Sequence, residues 1–284
     1  FEQENVSQPK GAKWKYLDKL PIYCIAYLMS KFGNYCRINM LPTQTGNNNK
    51  NMILARYQED GVNKGTWSGG THWSEIDGFL QEVNEYNPFL TNSQRNELYS
   101  QLFSMVPVVE RTEDPYLSAF NNGIFDWKNQ KLLPFAPKYV FLSKCHIDFK
   151  LYMTEPTITE PDGNIWTFDK WLREISTNDE MKNALYAVLQ AVVRPYQHWD
   201  KIVFFCAPSG SNGKSTLATV CKQLAPAFMS VKLADLGKDF HSSEILTATM
   251  LIGDENDSGG NEKPISETVA KALATGDEMQ LNIK

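Results

Sequence analysis

Residues 202–216, IVFFCAPSGSNGKST, constrain this chain more than any other stretch. Ile202–Cys206 reads as a buried strand, Pro208–Gly213 as a loop of small residues, and Lys214, Ser215 and Thr216 as the opening of a helix. Strand, loop and helix in that order form a phosphate cradle. Backbone N–H groups of the loop and of the helix N-terminus wrap phosphate oxygens. A lysine reaches the outer phosphates and a hydroxyl holds Mg²⁺. The spacing G-x-x-x-x-G-K-[ST] is met except at its first position, where Pro208 stands, and Gly210 is expected to supply the missing backbone freedom. The expected binding set for a nucleoside triphosphate is therefore Ser209, Gly210, Ser211, Asn212, Gly213, Lys214, Ser215 and Thr216, with Ser215 as a metal ligand.

A second block follows at MLIGDE, residues 250–255, a short apolar strand ending in two acids. Asp254 is expected to hold Mg²⁺ through water, and Glu255 to orient and deprotonate the attacking water. With Lys214 these acids form the expected catalytic set. Lys214 and Asp254 are 40 residues apart, which leaves room for one helix and one strand near Ser230–Leu233. Beyond them, Val269, Ala272 and Leu273 share one face of a predicted helix. Gly276-Asp277 breaks it, and Met279, Leu281 and Ile283 alternate as the first strand of a hairpin.

The upstream sequence is organised differently. Residues 1–16 are polar and lysine-bearing, and the apolar residues from Leu20 to Met29 predict a helix ending near Gly33. LPTQTGNNNKN (41–51) is turn-forming throughout. MILARYQEDGVNKGTW alternates around Asp60-Gly61 as a hairpin, and NNGIFDWKNQKLLPF (121–135) predicts a second one turning at Lys128–Gln130. Helix patterning runs through 73–105, and residues 136–165 read as irregular or short-strand structure. Residues 166–196 read as helical. Thr177 and Glu180 are expected to form a capping box, Met181, Leu185, Val188, Leu189 and Val192 to share one face, and Pro195 to end the helix. Trp127, Trp166 and Trp171 read as core packing in preference to base-stacking platforms.

Composition bounds the function. The 284 residues suggest about two domains. A net charge of −5 gives no bulk signal for nucleic-acid binding, though a local basic surface is compatible with it. The five cysteines, none at C-x-x-C spacing, read as reduced thiols of a cytoplasmic protein, with Cys206 and Cys221 on apolar faces. No apolar run approaches the length of a membrane span, and no membrane partner is expected. A chain beginning at Phe1 is expected to be a fragment or processed piece.

Taken together, PSGSNGKST, MLIGDEN and KALATGD resemble the superfamily 3 helicases of the poxvirus and phage/plasmid primase–helicase type. Upstream, NNGIFDWKNQKLLPFAPKYVFLSKCHIDF and FDKWLREISTNDEMKNALYAVLQAVV are similar to the segment before the ATPase and to its helical connector. The resemblance covers residues 50–284 and departs from the pattern at Pro208 and at Ala274-Thr275-Gly276-Asp277. It implies ATP and Mg²⁺ as cofactors, single-stranded or forked DNA as substrate, a ring oligomer of hexameric type, and a primase domain or partner. It also implies that Lys271 and the Gln280–Lys284 hairpin face the DNA, with Lys284 contacting phosphate. The sensor residue and arginine finger of the family are expected beyond Lys284. The implied fold is α/β: a parallel-sheet, AAA+-like P-loop ATPase segment preceded by a mixed α+β domain and a helical connector. The expected divisions are a 1–50 arm, a 51–165 mixed domain, a 166–198 connector and an incomplete 199–284 ATPase domain. Two other readings stand beside the helicase. One is a non-catalytic oligomerisation and DNA-loading module. The other is a small-molecule P-loop kinase, against which counts the absence of arginine from residues 217–284.

Overall fold

The computed structural model describes residues 20–40, 51–206, 210, 212–231, 247–253, 271–272 and 274–275. They fall into two compact units, one made of the chain up to Gln58 with Trp67–Glu110, the other of Glu59–Thr66 with Arg111 onwards.

In the first unit, α1 (Ile22–Phe32) ends at Gly33, as the apolar run predicts. β1 (Tyr35–Asn39), β2 (Met52–Tyr57) and β3 (Trp67–Gly70) form an antiparallel meander, and β4 (Val108–Val109) adds to β1 in parallel, giving the order β3-β2-β1-β4. The hairpin expected around Asp60-Gly61 is present with Tyr57 opposite Trp67. Its connecting loop, Glu59–Thr66, groups with the second unit. α2 (Phe79–Tyr86) and α3 (Asn92–Met105) supply the helices expected over 73–105. Ile25, Ala26 and Met29 of α1 join Phe79, Val83, Leu98 and Leu102 in one core with Tyr35 and Leu54 of the sheet. Glu82 accepts from Arg56 Nε at 2.9 Å and from the Tyr35 hydroxyl at 3.0 Å. Burial, followed by the Glu82 charge, drives the Tyr35 hydroxyl far above the usual phenol range.

The second unit opens with the meander β5 (Leu117–Phe120), β6 (Gly123–Asp126) and β7 (Lys131–Leu133). Its second turn falls where the sequence places it. Asp126 Oδ1 accepts from the backbone N–H of Lys128 and Asn129 at 3.0 Å each, and Gln130 takes φ +51°. Trp127 is packed within an aromatic cluster with Phe120, Phe125 and Phe149 and donates to Ser118 Oγ at 2.9 Å. Buried Lys144 reaches the loop 59–66, donating to the Lys64 carbonyl at 2.8 Å with its ammonium over Phe135. Burial lowers its pKa. β8 (Thr157–Thr159) and β9 (Ile165–Thr167) make a short hairpin. α4 (Phe168–Glu174), α5 (Asp179–Val193) and α6 (Lys214–Leu224) follow, then the parallel pair β10 (Phe228–Val231) and β11 (Met250–Gly253).

Four expectations need correction. The cap of α5 is Asn178, whose side chain accepts from Met181 N at 2.8 Å, while the neighbouring Thr177 hydroxyl turns to Met181 Sδ. Asn ranks above Thr as an N-cap, and here its side-chain oxygen meets the N3 amide. Met181 is also largely exposed, so the buried face of α5 rests on Leu185 and Leu189, with Val188 and Val192 partly covered. Residues 202–206 form no strand, and Val203 and Phe204 are 46% and 65% exposed. A strand needs a neighbour for its N–H and C=O groups, and among the described residues none lies beside it. The fold class is accordingly mixed α/β with several small sheets. Parallel strand pairs among the described residues are β1–β4 and β10–β11, with one isolated parallel bridge between Phe120 and Cys145, short of a P-loop ATPase sheet.

Replacing Asn178 with Ala should cost about 1 kcal/mol in urea unfolding followed by circular dichroism, whereas Thr177→Ala should stay within about 0.5 kcal/mol. Under native conditions Cys206, exposed and outside any strand, should react with a maleimide ahead of Cys36, Cys145 and Cys221. These three are buried, and burial pushes the Cys36 thiol up to about 12. Mass mapping of the labelled chain checks the order.

Candidate nucleotide-binding site

α4 and α5 form the platform. Thr167 caps α4, accepting from Lys170 N at 3.1 Å. Asp169, in the first turn of α4, accepts from Lys182 Nζ at 2.8 Å and from the Tyr186 hydroxyl at 3.1 Å, both on α5. The Lys182 hydrogen bond, with Tyr186 in support, holds the Asp169 carboxyl below its usual range. Burial and the Asp169 bond push Tyr186 up to about 12. The Lys182 side chain is only 12% exposed, and the pairing ties the first turn of α4 to α5.

α6 rests on this platform. Leu217, Val220, Cys221 and Leu224 recur at i, i+3, i+4 and i+7, the pattern of one helical face. Leu217 and Cys221 are buried in one apolar cluster with Leu172 of α4 and Leu185 and Leu189 of α5, and Met250 of β11 packs against the same cluster. The opposite face carries Ser215, Thr216, Thr219 and Gln223, all exposed.

The turn into α6 is made by Gly213, at φ +82°. A Cβ here would stand 2.8 Å from Ile175 Cγ2, so backbone conformation and close approach both require glycine. Gly210, expected to carry the loop's backbone freedom, is not in the left-handed region, and a Cβ there would meet nothing within 4 Å. Lys214 is half-buried, and its Nζ donates to Asn212 Oδ1 at 3.0 Å. No side chain caps the start of α6. The first-turn amides of a helix have no intrahelical acceptor, and the helix dipole there favours an anion. Among the expected residues, Asn212, Gly213, Lys214, Ser215 and Thr216 are thus gathered at one helix end, and Gly210 is exposed just before them. Ser209, Ser211, Asp254, Glu255 and Lys284 lie outside the described residues. β11 ends at Gly253, directly before the acids in sequence. Lys271 is exposed in a helical turn where Thr275 Oγ1 donates to its carbonyl at 2.9 Å.

Two positions that shape this site are silent in a motif reading. Ile175 matters because it fills the space a Cβ on Gly213 would need, a contact across 38 residues of sequence that no local pattern announces. Asp169 shows only its i,i+4 spacing to Arg173, whereas its stronger partners are on the next helix. Among the described residues no helix is long and apolar enough to cross a membrane.

Gly213→Ala should destabilise the chain by about 1–2 kcal/mol from the left-handed backbone alone, with a further loss from the clash with Ile175. Pairing it with Ile175→Ala should remove the clash but leave the backbone cost. A double-mutant cycle in urea unfolding checks both.

Comparison with curated proteins gives no match. Residues 53–177 match the family model described as D5 N terminal like. The matched stretch ends three residues after α4, before the nucleotide loop. It supports a primase–helicase family and, with it, a role in DNA replication.

Proposed function

We propose that this chain is part of an ATP-dependent, primase-associated DNA helicase, and that the start of α6 is its nucleotide site. The observation that carries the reading is the left-handed Gly213 running directly into an uncapped helix with Lys214 in its first turn. The D5 N terminal like segment upstream supports placing that site in a replication protein.

In this reading the loop amides from Ser209 to Gly213 cradle the phosphates of ATP. Lys214 exchanges its bond to Asn212 for the β/γ-phosphates, and Ser215 ligates Mg²⁺. Thr216 lines the same helix end. Asp254 supports the metal and Glu255 activates water. The described residues fit the group: the helix end has no competing side-chain cap, and Ser215 and Thr216 are exposed. Mg²⁺ supplies charge neutralisation on the phosphates. The protein's own part is to hold lysine and hydroxyl at one helix end. Assembly into a hexameric ring, passage of single-stranded DNA along Lys271 and Lys284, a primase partner and a cytoplasmic site of action belong to the same proposal. The division into 1–50, 51–165, 166–198 and 199–284 belongs to it as well.

Phosphate release by the intact protein should be stimulated by single-stranded DNA and abolished by Lys214→Ala. Unchanged turnover in the variant would remove this loop as the active site. Phosphate transfer that depends on a small-molecule acceptor would replace the helicase with a kinase.

A further inference from the structure

Charge is spread unevenly along this chain. Between residues 10 and 58 stand eight lysines and arginines and one acid, Asp18, although the whole chain carries a net charge of −5. From Lys19 to Gln58 there is no acid at all. Two of the cations are committed to the first unit's fold. Arg37 Nε donates to the Val106 carbonyl at 3.1 Å with its guanidinium over Phe103, and Arg56 pairs with Glu82. Lys10, Lys13, Lys15, Lys19 and Lys50 lie outside the described residues. Lys31 is described, exposed, and on the outer face of α1.

α1 has two contrasting faces. Ile25, Ala26 and Met29 are fully buried in the core of the first unit. Tyr23, Tyr27 and Lys31 recur at i, i+4 and i+8, which places them in one line along the opposite side, about 6 Å apart in rise. Tyr23 is 60% exposed and Tyr27 48% exposed, and Lys31 Nζ stands 5.6 Å from the Tyr27 ring centroid. Phe32, also exposed, ends the helix. One exposed aromatic needs no explanation. Two tyrosines in register with a lysine, on a helix without an acid and in the most basic stretch of the chain, offer ring faces and positive charge together. Single-stranded nucleic acid presents the complement: unpaired base faces and a phosphate backbone. An acidic protein surface would match the lysine but would have no use for aligned ring faces.

We propose that the outer face of α1 is a single-stranded nucleic-acid contact, with Tyr23 and Tyr27 stacking on bases and Lys31 contacting phosphate. This surface lies in the first unit and does not depend on the nucleotide loop. The proposal deepens the DNA-acting reading only in its choice of partner.

The test is fluorescence anisotropy of a labelled oligothymidylate titrated with the full chain, without ATP or Mg²⁺. Tyr23→Ala and Tyr27→Ala should each weaken binding about tenfold. Tyr27→Phe, which keeps the ring, should bind like the parent chain. Lys31→Gln should lower the slope of log affinity against log salt by about 0.7. Circular dichroism checks that the variants fold, as expected for exposed positions. Unchanged affinity in both alanine variants would overturn the proposal, as would no binding by the parent chain. Altered sedimentation of the DNA-free Tyr27→Ala chain would also overturn it, since the face would then be covered by a second copy. The assay contains no nucleotide, so failure of the ATPase reading leaves this result untouched. Failure here leaves the ATPase reading standing.

Discussion

The seating of α6 on α4 and α5 is the contact on which the candidate site depends. An 11-residue helix is too short to hold its shape in water unaided. α6 is ordered because Leu217 and Cys221 leave water among Leu172, Leu185 and Leu189. Fully burying a leucine is worth about 1.5–3 kcal/mol, enough for one or two such residues to decide whether the helix forms. The position of Lys214 follows from that packing. It stands one residue after a glycine whose missing Cβ lets the backbone press against Ile175, and three residues before the buried Leu217. The Asp169–Lys182–Tyr186 pairing ties α4 to α5, the two helices that α6 packs against.

Much of this was legible in the sequence where the physics is local. Gly33 ends α1, and the Asp60-Gly61 loop returns the chain with Tyr57 opposite Trp67. The turn at Lys128–Gln130 is fixed by Asp126, β11 falls on the apolar run expected at 250–253, and β10 (Phe228–Val231) starts two residues before the strand expected near Ser230–Leu233. The motif spacing also placed Gly213 at the turn into α6, where the left-handed backbone favours glycine. Where neighbours in sequence compete, pattern failed by one residue. Thr177 and Asn178 can both cap α5, and only geometry selects Asn178. Where the answer lies across the fold, pattern failed altogether. An apolar run such as Ile202–Cys206 is compatible with a buried strand or with an extended exposed segment, and the presence of a pairing neighbour decides between them. Ile175 carried no signal, since its role is steric and its partner is 38 residues away.

The charge distribution gives the two units different characters. In the first, eight of the nine lysines and arginines precede Gln58 whereas six of the nine acids follow Trp67; Glu82 pairs with Arg56 and Tyr35, and α1 itself carries no carboxylate. In the second, acids stand at turns and helix starts: the Asn129 side chain and then backbone N–H groups hold the Asp126 carboxyl below the usual range, and the Asn164 backbone and side chain do the same for Asp162. A net charge averaged over the chain conceals this division. It is for that reason a poor guide to the surface of either unit.

The family match and α6 do not overlap in sequence, yet they share a core. Leu172 and Ile175 fall within the matched residues 53–177, while Gly213 and Leu217 lie beyond them. Close-packed interiors transmit displacement instead of absorbing it. A shift of the Gly213 backbone toward α4 would therefore press on Ile175. Ile175 immediately follows α4, which Asp169 ties to α5. The matched segment and α6 are in this sense one packed part: the sequence comparison ends at residue 177, whereas the apolar cluster continues into α6.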